Sequence, residues 1–475
     1  MTTTLDPVTE APPARPEDEK LPLPTLLGAG LQHILAMFGG VIAVPLIIGG
    51  AAGLEGPQIA LLVSCSLFVS GLATVLQTVG VPWFGSQLPL VQGISFASVS
   101  TLLTVVAGNG AEGMRAAFGA TLVAALVCLA IVPFFAQVVR FFPPVVTGSI
   151  ITVIGLSLMP VAAGWVTGQA TLNGAPNPNY ASGANLALAL VTLAVVLVLS
   201  KIRATSRMAI LLGLLIGTVI ALFTGQATWN LAGAAPFALP QPFAFGTPTF
   251  ALGAIIAMTV VMVVVMVETT ADILAVGEVI GTHVDSRRVS DGLRADMLSS
   301  AVAPVFNTFP ATAFAQNVGL LALSGIKSRW AVAAGGVVLA LLGLSPMLAA
   351  VVRVIPSPVL GGVGIALFGT VAASGIRTLS KVNYQGNQNL LIVAVAIAFG
   401  LLPDLSPSFW HSLPEGLMVV VDSGISAAAI VAVVLNLVFN VLAPGRPPEP
   451  SHLAAAPPRL VQQGEMEMLR GKGEH

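Results

Sequence analysis

Long apolar stretches separated by short polar turns recur from residue 25 to residue 442 of this chain of 475 residues. About twenty apolar residues wound as a helix span the hydrocarbon core of a bilayer. The pattern therefore predicts an all-α polytopic membrane protein with fourteen segments, near 25–48, 57–80, 88–106, 115–138, 143–163, 184–201, 207–225, 250–280, 292–306, 314–326, 329–350, 356–376, 385–402 and 415–442. The third and tenth segments are short and interrupted by Gly and Pro, which break helices.

The two ends of the chain differ from the rest. Residues 1–24 and 444–475 are rich in Pro and charged residues, so both are predicted to be disordered tails around one transmembrane domain, 25–443. Residues 1–24 also lack the apolar core of a cleavable signal peptide. Cys65 and Cys128 lie in apolar segments, which predicts two small buried side chains and argues against a disulfide or a metal site.

Charge is scarce and unevenly placed. Only 8% of the residues are charged, against about 25% in a soluble domain. The net charge of −1 gives no reason to expect a nucleic-acid partner. With both termini in the cytoplasm, the fourteen segments place all but two of the 19 Lys and Arg residues inside, and only Arg115 and Arg353 outside. This asymmetry is what the positive-inside rule requires.

Two short motifs occur once in each half of the chain. Residues 140–148 (RFFPPVVTG) resemble 353–362 (RVIPSPVLGG), and LPLVQGISF (88–96) occupies the place in the first half that TAFAQNVGL (312–320) occupies in the second. Seven segments per half predict an inverted repeat, about 25–225 and 250–442, whose interrupted segments form a transporter site. The alternative is chance similarity between Pro- and Gly-rich apolar stretches.

Three acidic residues lie where lipid favours apolar side chains. Glu268 and Asp272 follow VMVVVMV and share one helix face, while Asp296 lies in the ninth segment. A carboxylate at the bilayer centre costs roughly 2.5–3.5 kcal/mol, so such residues usually have a function. We expect Glu268 and Asp272 to share a proton, since two ionised neighbours repel, and Asp296 to belong to the same proton-coupling site. Alternatively an acid could cap a helix or pair with a cation, and Asp296 could be a first-turn acid.

The interrupted segments supply the predicted substrate-binding residues. These are Gln92, Ser95 and Phe96 in the first half and Gln316 and Asn317 in the second. A glutamine amide both donates and accepts, which matches a heterocycle edge of alternating C=O and N–H groups, and an aromatic ring offers a face for stacking. Together with Glu268 they predict a nucleobase clamp. The alternative, polar contacts between helices, applies to Ser95 more than to the amides.

Family resemblance rests on several of these residues together. Gln316-Asn317-Val-Gly319, followed by Ser324 where a Thr is usual, resembles the signature of the nucleobase–ascorbate transporters, also called nucleobase:cation symporter family 2. Gln32-His33 in the first segment resembles a second family motif, and the positions of Glu268 and Asp296 match family acids. We expect a structural role for Gln32, His33, Gly319 and Ser324. The resemblance covers about residues 25–440.

The resemblance implies a fold and a function. The fold is a seven-plus-seven inverted repeat with core and gate domains and short strands in the third and tenth segments, often a homodimer. The function is uptake of a nucleobase held by Glu268 and Gln316 and stacked on Phe96. The Gln-Asn start of the signature resembles xanthine and urate carriers, whereas uracil carriers have Glu-Asn. We therefore expect proton-coupled import of xanthine or uric acid across the cell membrane, with no cofactor and no metal.

Other functional classes are less well matched. A carrier of uracil or another nucleobase would use the same site with a different signature. An anion exchanger of the sulfate type shares the fold class, but an anion beside Glu268 would be repelled unless Glu268 is protonated. Intramembrane aspartyl proteases have Tyr-Asp and Gly-x-Gly-Asp motifs, and neither occurs in the sequence. We therefore do not expect an enzyme.

Overall fold

The computed structural model describes residues 15–442 apart from 108, 136–140, 169–170, 173–174, 177–178, 204, 230–236, 386, 407 and 411. The predicted tail 444–475 and residues 1–14 lie outside the described residues. Each of the fourteen predicted segments contains helix. The helices are α1 Leu23–Ala51, α2 Gly56–Val79, α3 Val99–Val106, α4 Gly110–Ile131, α5 Pro144–Ser157, α6 Met159–Thr167, α7 Gly183–Lys201, α8 Ala209–Phe223, α9 Leu252–Ile280, α10 Ser286–Val302, α11 Ala315–Ser324, α12 Arg329–Gly343, α13 Pro346–Arg353, α14 Ser357–Leu379, α15 Asn389–Leu405, α16 Glu415–Asp422 and α17 Gly424–Asn436.

Only some of these helices are long enough to span a membrane. Within the described residues, eight helical stretches are long and apolar enough to cross a bilayer, and the bent pair α12 and α13 would make a ninth. Helices α8 and α15 are apolar but shorter. On α7 the exposed side chains are apolar, with Leu186 51%, Leu190 53% and Leu197 59% exposed. Such a surface is suited to lipid tails.

The third segment contains a short strand, as predicted, whereas the second strand lies just before the tenth segment, 314–326. Strand β1 (Gln92–Ile94) pairs antiparallel with β4 (Ala311–Ala313), and Gly93 lies opposite Thr312. Two further strands, Thr171–Leu172 (β2) and Ala175–Pro176 (β3), form a separate pair. Residues 92–94 and 311–313 are all buried, so their backbone N–H and C=O groups need protein partners. The strand pair supplies those partners at the point where both helices are interrupted.

The helices pack as two groups. The first, which we call the strand bundle, holds α1, α2, α4, α9, α10, α12 and the pair β1–β4. The second, the flanking bundle, holds α5 to α8, α14, α15 and α17. Within it α5 crosses α14 closely at Gly155. A Cβ atom added to Gly155 would lie only 2.2 Å from the backbone nitrogen of Ala372, so a larger residue does not fit there. Small residues at such crossings let membrane helices approach each other.

The structure differs from the predicted tail over residues 15–24. A short 3₁₀ helix, Pro16–Asp18, packs against the strand bundle, and α1 begins at Leu23. Glu17 is fully buried and pairs with Arg288 at 2.5 Å. Asp18 pairs with Arg329 at 2.6 Å. Specific ion pairs, which composition does not reveal, therefore fix this segment.

Candidate functional site

A cavity of about 1160 Å³ separates the strand bundle from the flanking bundle. Phe96, Glu268, Asp272 and Phe314 line it from the strand bundle. Its lining from the flanking bundle includes Pro144, Ile151, Ile154, Thr370, Ser374, Arg377 and Thr378. One end of the cavity is lined by the exposed residues Glu278, His283, Lys381 and Asn383. This is the side that the Lys and Arg distribution predicts to be cytoplasmic.

Glu268 and Asp272 lie one turn apart on α9 and both face this cavity. An adjoining pocket of about 50 Å³ brings Glu268 next to Thr147, Ile151 and Thr378 of the flanking bundle. Among the described residues, Glu268 forms no hydrogen bond and no ion pair. It also lies in the interior of its helix, far from either cap. Neither capping nor a partner cation accounts for this acid, so its oxygens are available to a ligand or a proton.

Two phenylalanine rings line the cavity on the strand-bundle side, together with the acids. Phe96 lies just after β1, is 8% exposed, and contacts Phe368 of the flanking bundle with ring centroids 6.1 Å apart. Phe314 lies just after β4, and its ring centroid is 6.3 Å from that of Phe96. Sequence reasoning identified Phe96 but not Phe314, although each aromatic lies within two residues of the end of its strand. A flat ligand beside Glu268 could contact either ring.

Gln92, Ser95 and Asn317 do not line the cavity in this structure. Gln92 and Ser95 are buried, and neither borders the cavity. Asn317 is also buried, and its Nδ2 atom lies 3.1 Å from His33 Nδ1 and 3.1 Å from the His33 carbonyl oxygen. These contacts join α11 to α1. Gln316 is the second residue of α11, and its side chain lies outside the described part of the structure.

The two glutamines do not occupy equivalent positions. Gln92 lies within β1, whereas Gln316 lies in the helix after β4. In the strand register the partner of Gln92 is Ala313. The similarity of the two motifs therefore located both interrupted segments. It matches Gln92, a strand residue, with Gln316, a helix residue, so the two motifs are not equivalent residue by residue.

The remaining signature residues lie around α1 and α11. Gln32 is half-buried on α1 beside His33. Gly319 lies in the middle of α11, outside the residues whose side-chain surroundings are described. Ser324 ends α11, where its hydroxyl accepts from the Ile326 backbone N–H at 3.3 Å.

Asp296 lies behind the cavity wall. It is 1% exposed, and the Thr269 hydroxyl donates to its Oδ2 atom at 2.5 Å. The same hydroxyl lies 3.5 Å from that of Thr312, which does line the cavity. Asp296 is in the interior of α10, which begins at Ser286, so the interpretation as a first-turn acid is wrong. Thr269 was not identified from sequence, although it directly follows Glu268.

Metal binding finds no support in the described residues. No group of three or more His, Cys, Asp or Glu side chains there is arranged to hold a metal ion. Cys65 and Cys128 are both buried and free, as predicted.

Comparison with known proteins places the chain among permeases. A model described as a permease family matches residues 24–408. The chain is 40% identical over 419 residues to the xanthine permease of Bacillus subtilis (strain 168), covering 87% of this chain and 94% of that one. It is 38% identical over 422 residues to the uric acid transporter UacT of Escherichia coli (strain K12), covering 87% and 86%.

Solved structures share the fold. The transmembrane domain of the cyanobacterial bicarbonate transporter BicA has a TM-score of 0.59 at 16% identity, covering 88% of this chain and 99% of that chain. The structure of SLC26A9 also gives 0.59, at 15% identity, covering 88% and 66%. At this level of identity the likeness concerns the fold alone.

Proposed function

Because the chain belongs to the nucleobase–ascorbate transporter family, we propose that it imports a purine nucleobase, xanthine or uric acid, by proton symport. The observation that carries the proposal is the cavity between the bundles, which two carboxyl groups and two phenylalanine rings line together. The names of the relatives from B. subtilis and E. coli support a purine as the substrate. The protein is then a multi-pass transporter of the cell membrane.

Substrate recognition follows from complementary hydrogen bonds. Oxidised purines present ring N–H groups that can donate to Glu268, which has no partner among the described residues. Phe96 borders the same cavity and offers a ring face for stacking. Gln316 can donate to a ring carbonyl and accept from a ring N–H. Asn317, held by His33, fixes the start of α11 that carries Gln316.

Proton coupling follows from the acids. Glu268 and Asp272 repel each other when both are ionised, so one proton on the pair favours the loaded carrier. Asp296 reaches the cavity wall through Thr269 and Thr312, and we assign it to the same proton-coupling site. The carboxyl groups of Glu268 and Asp272 line the cavity and can each carry a proton, which favours protons as the coupling ion.

Alternating access follows from the two bundles. We propose that the strand bundle is the core domain and the flanking bundle the gate domain of a seven-plus-seven inverted repeat, with fourteen membrane crossings and both termini in the cytoplasm. The antiparallel pairing of β1 with β4 supports this inversion. A homodimer is expected from the family resemblance.

A sulfate-type anion exchanger is the second candidate, because BicA and SLC26A9 share the fold. Glu268 opposes it, since an ionised acid without a partner cation repels an anion inside an apolar cavity. Uracil carriers remain the nearest alternative within the family.

A competition experiment tests these proposals. Uptake of radiolabelled xanthine and urate is measured in cells that lack their own carriers, against excess purines, uracil and sulfate. We expect competition by oxidised purines only, abolition by a protonophore, and no change when choline replaces sodium. Uptake of sulfate, or strict dependence on sodium, would refute the proposal.

A further inference from the structure

Buried polar atoms without partners mark a second polar region, away from the cavity. Gln77 on α2 and Ser86 in the following loop are both fully buried. Among the described residues, neither amide atom of Gln77 nor the Ser86 hydroxyl has a hydrogen-bond partner. Unpartnered polar groups are costly inside a protein, and bound water is their usual partner.

Gln77 and Ser86 both lie close to Gly292 of α10. A Cβ atom placed on Gly292 would lie 3.1 Å from Gln77 Nε2 and 3.1 Å from Ser86 Cβ. The glycine therefore lets the Gln77 amide and Ser86 lie close to α10, while the Cδ1 atom of Ile273, 2.6 Å from the same Cβ position, completes the packing there. Water is the usual partner of buried polar groups such as the Gln77 amide and the Ser86 hydroxyl.

Asp296 lies at the inner end of this region. It is one helical turn after Gly292 on α10, so both residues share a face. Its Oδ1 atom and both amide atoms of Gln92 make no hydrogen bond of normal geometry among the described residues, and the Gln92 side chain lies near enough to Asp296 to interact with it. The Thr74 hydroxyl, which accepts from the Gln92 backbone N–H at 2.9 Å, links the strand to the same face of α2 that carries Gln77.

Arg288 and Glu17 form the outer end. Arg288 lies one turn before Gly292, and its Nε atom donates to the Ser86 carbonyl at 2.6 Å. It also pairs with Glu17, whose second oxygen has no partner among the described residues. Arg288 is on the side that the charge distribution predicts to be cytoplasmic. From Asp296 to Arg288, eight residues of helix span about 12 Å.

We propose that water bound along Gln92, Gln77 and Ser86 forms a proton path from Asp296 to the cytoplasm, separate from the substrate cavity. We call it the α10 path. It rests on the proposed proton symport. The Gln and Ser side chains orient water and do not themselves ionise. A proton leaves the Asp296 carboxyl, passes between hydrogen-bonded waters, and enters cytoplasmic water beside Glu17 and Arg288, so that substrate and proton leave by different routes.

Gln77→Met tests the path, because it keeps the length of the side chain but removes both amide atoms. Purified protein in proteoliposomes is assayed in two modes with radiolabelled xanthine. Net uptake driven by a pH gradient requires a proton to be released inside in every cycle. Exchange against internal xanthine cycles the loaded carrier and requires no release. We expect Gln77→Met to slow net uptake by about fivefold or more, the factor of one lost hydrogen bond, and to leave exchange unchanged.

Three controls sharpen the result. Gln77→Asn keeps an amide and leaves room for one more water, so its net uptake should stay near the wild-type rate. Gly292→Ala adds a methyl group that displaces Ile273 and presses on the Gln77 amide, so it should reproduce the Gln77→Met defect in net uptake. Thr121→Val removes another buried, unpartnered hydroxyl, on α4, and should affect neither mode.

The outcomes separate the two proposals. Equal loss of net uptake and exchange in Gln77→Met would assign Gln77 a structural role and refute the path alone. Wild-type net uptake in both Gln77→Met and Gly292→Ala would also refute it. A wild-type protein that carries xanthine without protons would refute the proposed coupling, and the path with it.

Discussion

Glu268→Gln separates a functional acid from a structural one. Glutamine has nearly the same size, but it cannot ionise and cannot carry a coupling proton. Among the described residues Glu268 makes no hydrogen bond and no ion pair, so the substitution breaks no contact within the protein. We therefore expect no loss of thermal stability, although most substitutions that break buried polar contacts destabilise a protein.

The magnitude for transport follows from the ligand contact. A hydrogen bond between a carboxylate and a ring N–H contributes about 1.5–3 kcal/mol, which corresponds to a loss of affinity of about 10- to 150-fold. Loss of the proton site lowers the maximal rate as well. The apparent affinity and the rate of xanthine uptake should therefore both fall, while the amount of protein in the membrane stays constant.

The assay combines initial uptake rates, immunoblots of membrane protein and melting temperatures in detergent. Glu278→Gln is the matched control, because Glu278 lies on the same helix and borders the same cavity but is exposed at its mouth. It should transport like the wild type. If Glu268→Gln takes up xanthine or urate at the wild-type rate, or melts markedly earlier than the wild type, the site assignment is incorrect.

Three other substitutions test single contacts and the topology. Thr269→Val leaves the buried Asp296 carboxyl without its donor, at a cost of about 1–3 kcal/mol, so the melting temperature should fall, while Thr269→Ser should stay near the wild type. Asn317→Leu removes both contacts to His33, so xanthine affinity should fall through the loosened start of α11; wild-type affinity would deny Asn317 this role. Tyr180→Cys should react with an impermeant maleimide only from outside the cell, since both native cysteines are buried. Labelling from the cytoplasm alone would reverse the topology.

Sequence patterns located the elements well because apolar length is a local property. The fourteen predicted segments all contain helix, and the two strands lie within the third segment and directly before the tenth. Glu268 was identified because it directly follows the apolar run VMVVVMV, and acidic residues are rare inside membrane helices. Its place on the cavity wall, together with Asp272 and Phe96, agrees with the predicted grouping of these residues in space.

Contacts between distant segments could not be derived in this way. Glu17 lies in a stretch with the composition of a tail, yet Arg288 binds it. Thr269 is one of several threonines in apolar helix, and nothing in the sequence shows that it faces Asp296. Gln77 likewise resembles any polar residue near a helix end. In each case the partner is set by tertiary packing, which periodicity does not encode.

The pairing of β1 with β4 has a consequence for how the protein is made. The two strands are separated by about 220 residues, so β1 enters the membrane long before its partner exists. Until then its backbone N–H and C=O groups have no cross-strand partners, and each such group is costly in a lipid environment. The third segment therefore has to wait in a shielded or partly inserted state while nearly half of the chain is translated. Synthesis past residue 313 lets the strands pair, and the cavity is complete only after residues 370–383 of the flanking bundle have followed, so the transport centre forms late in biogenesis.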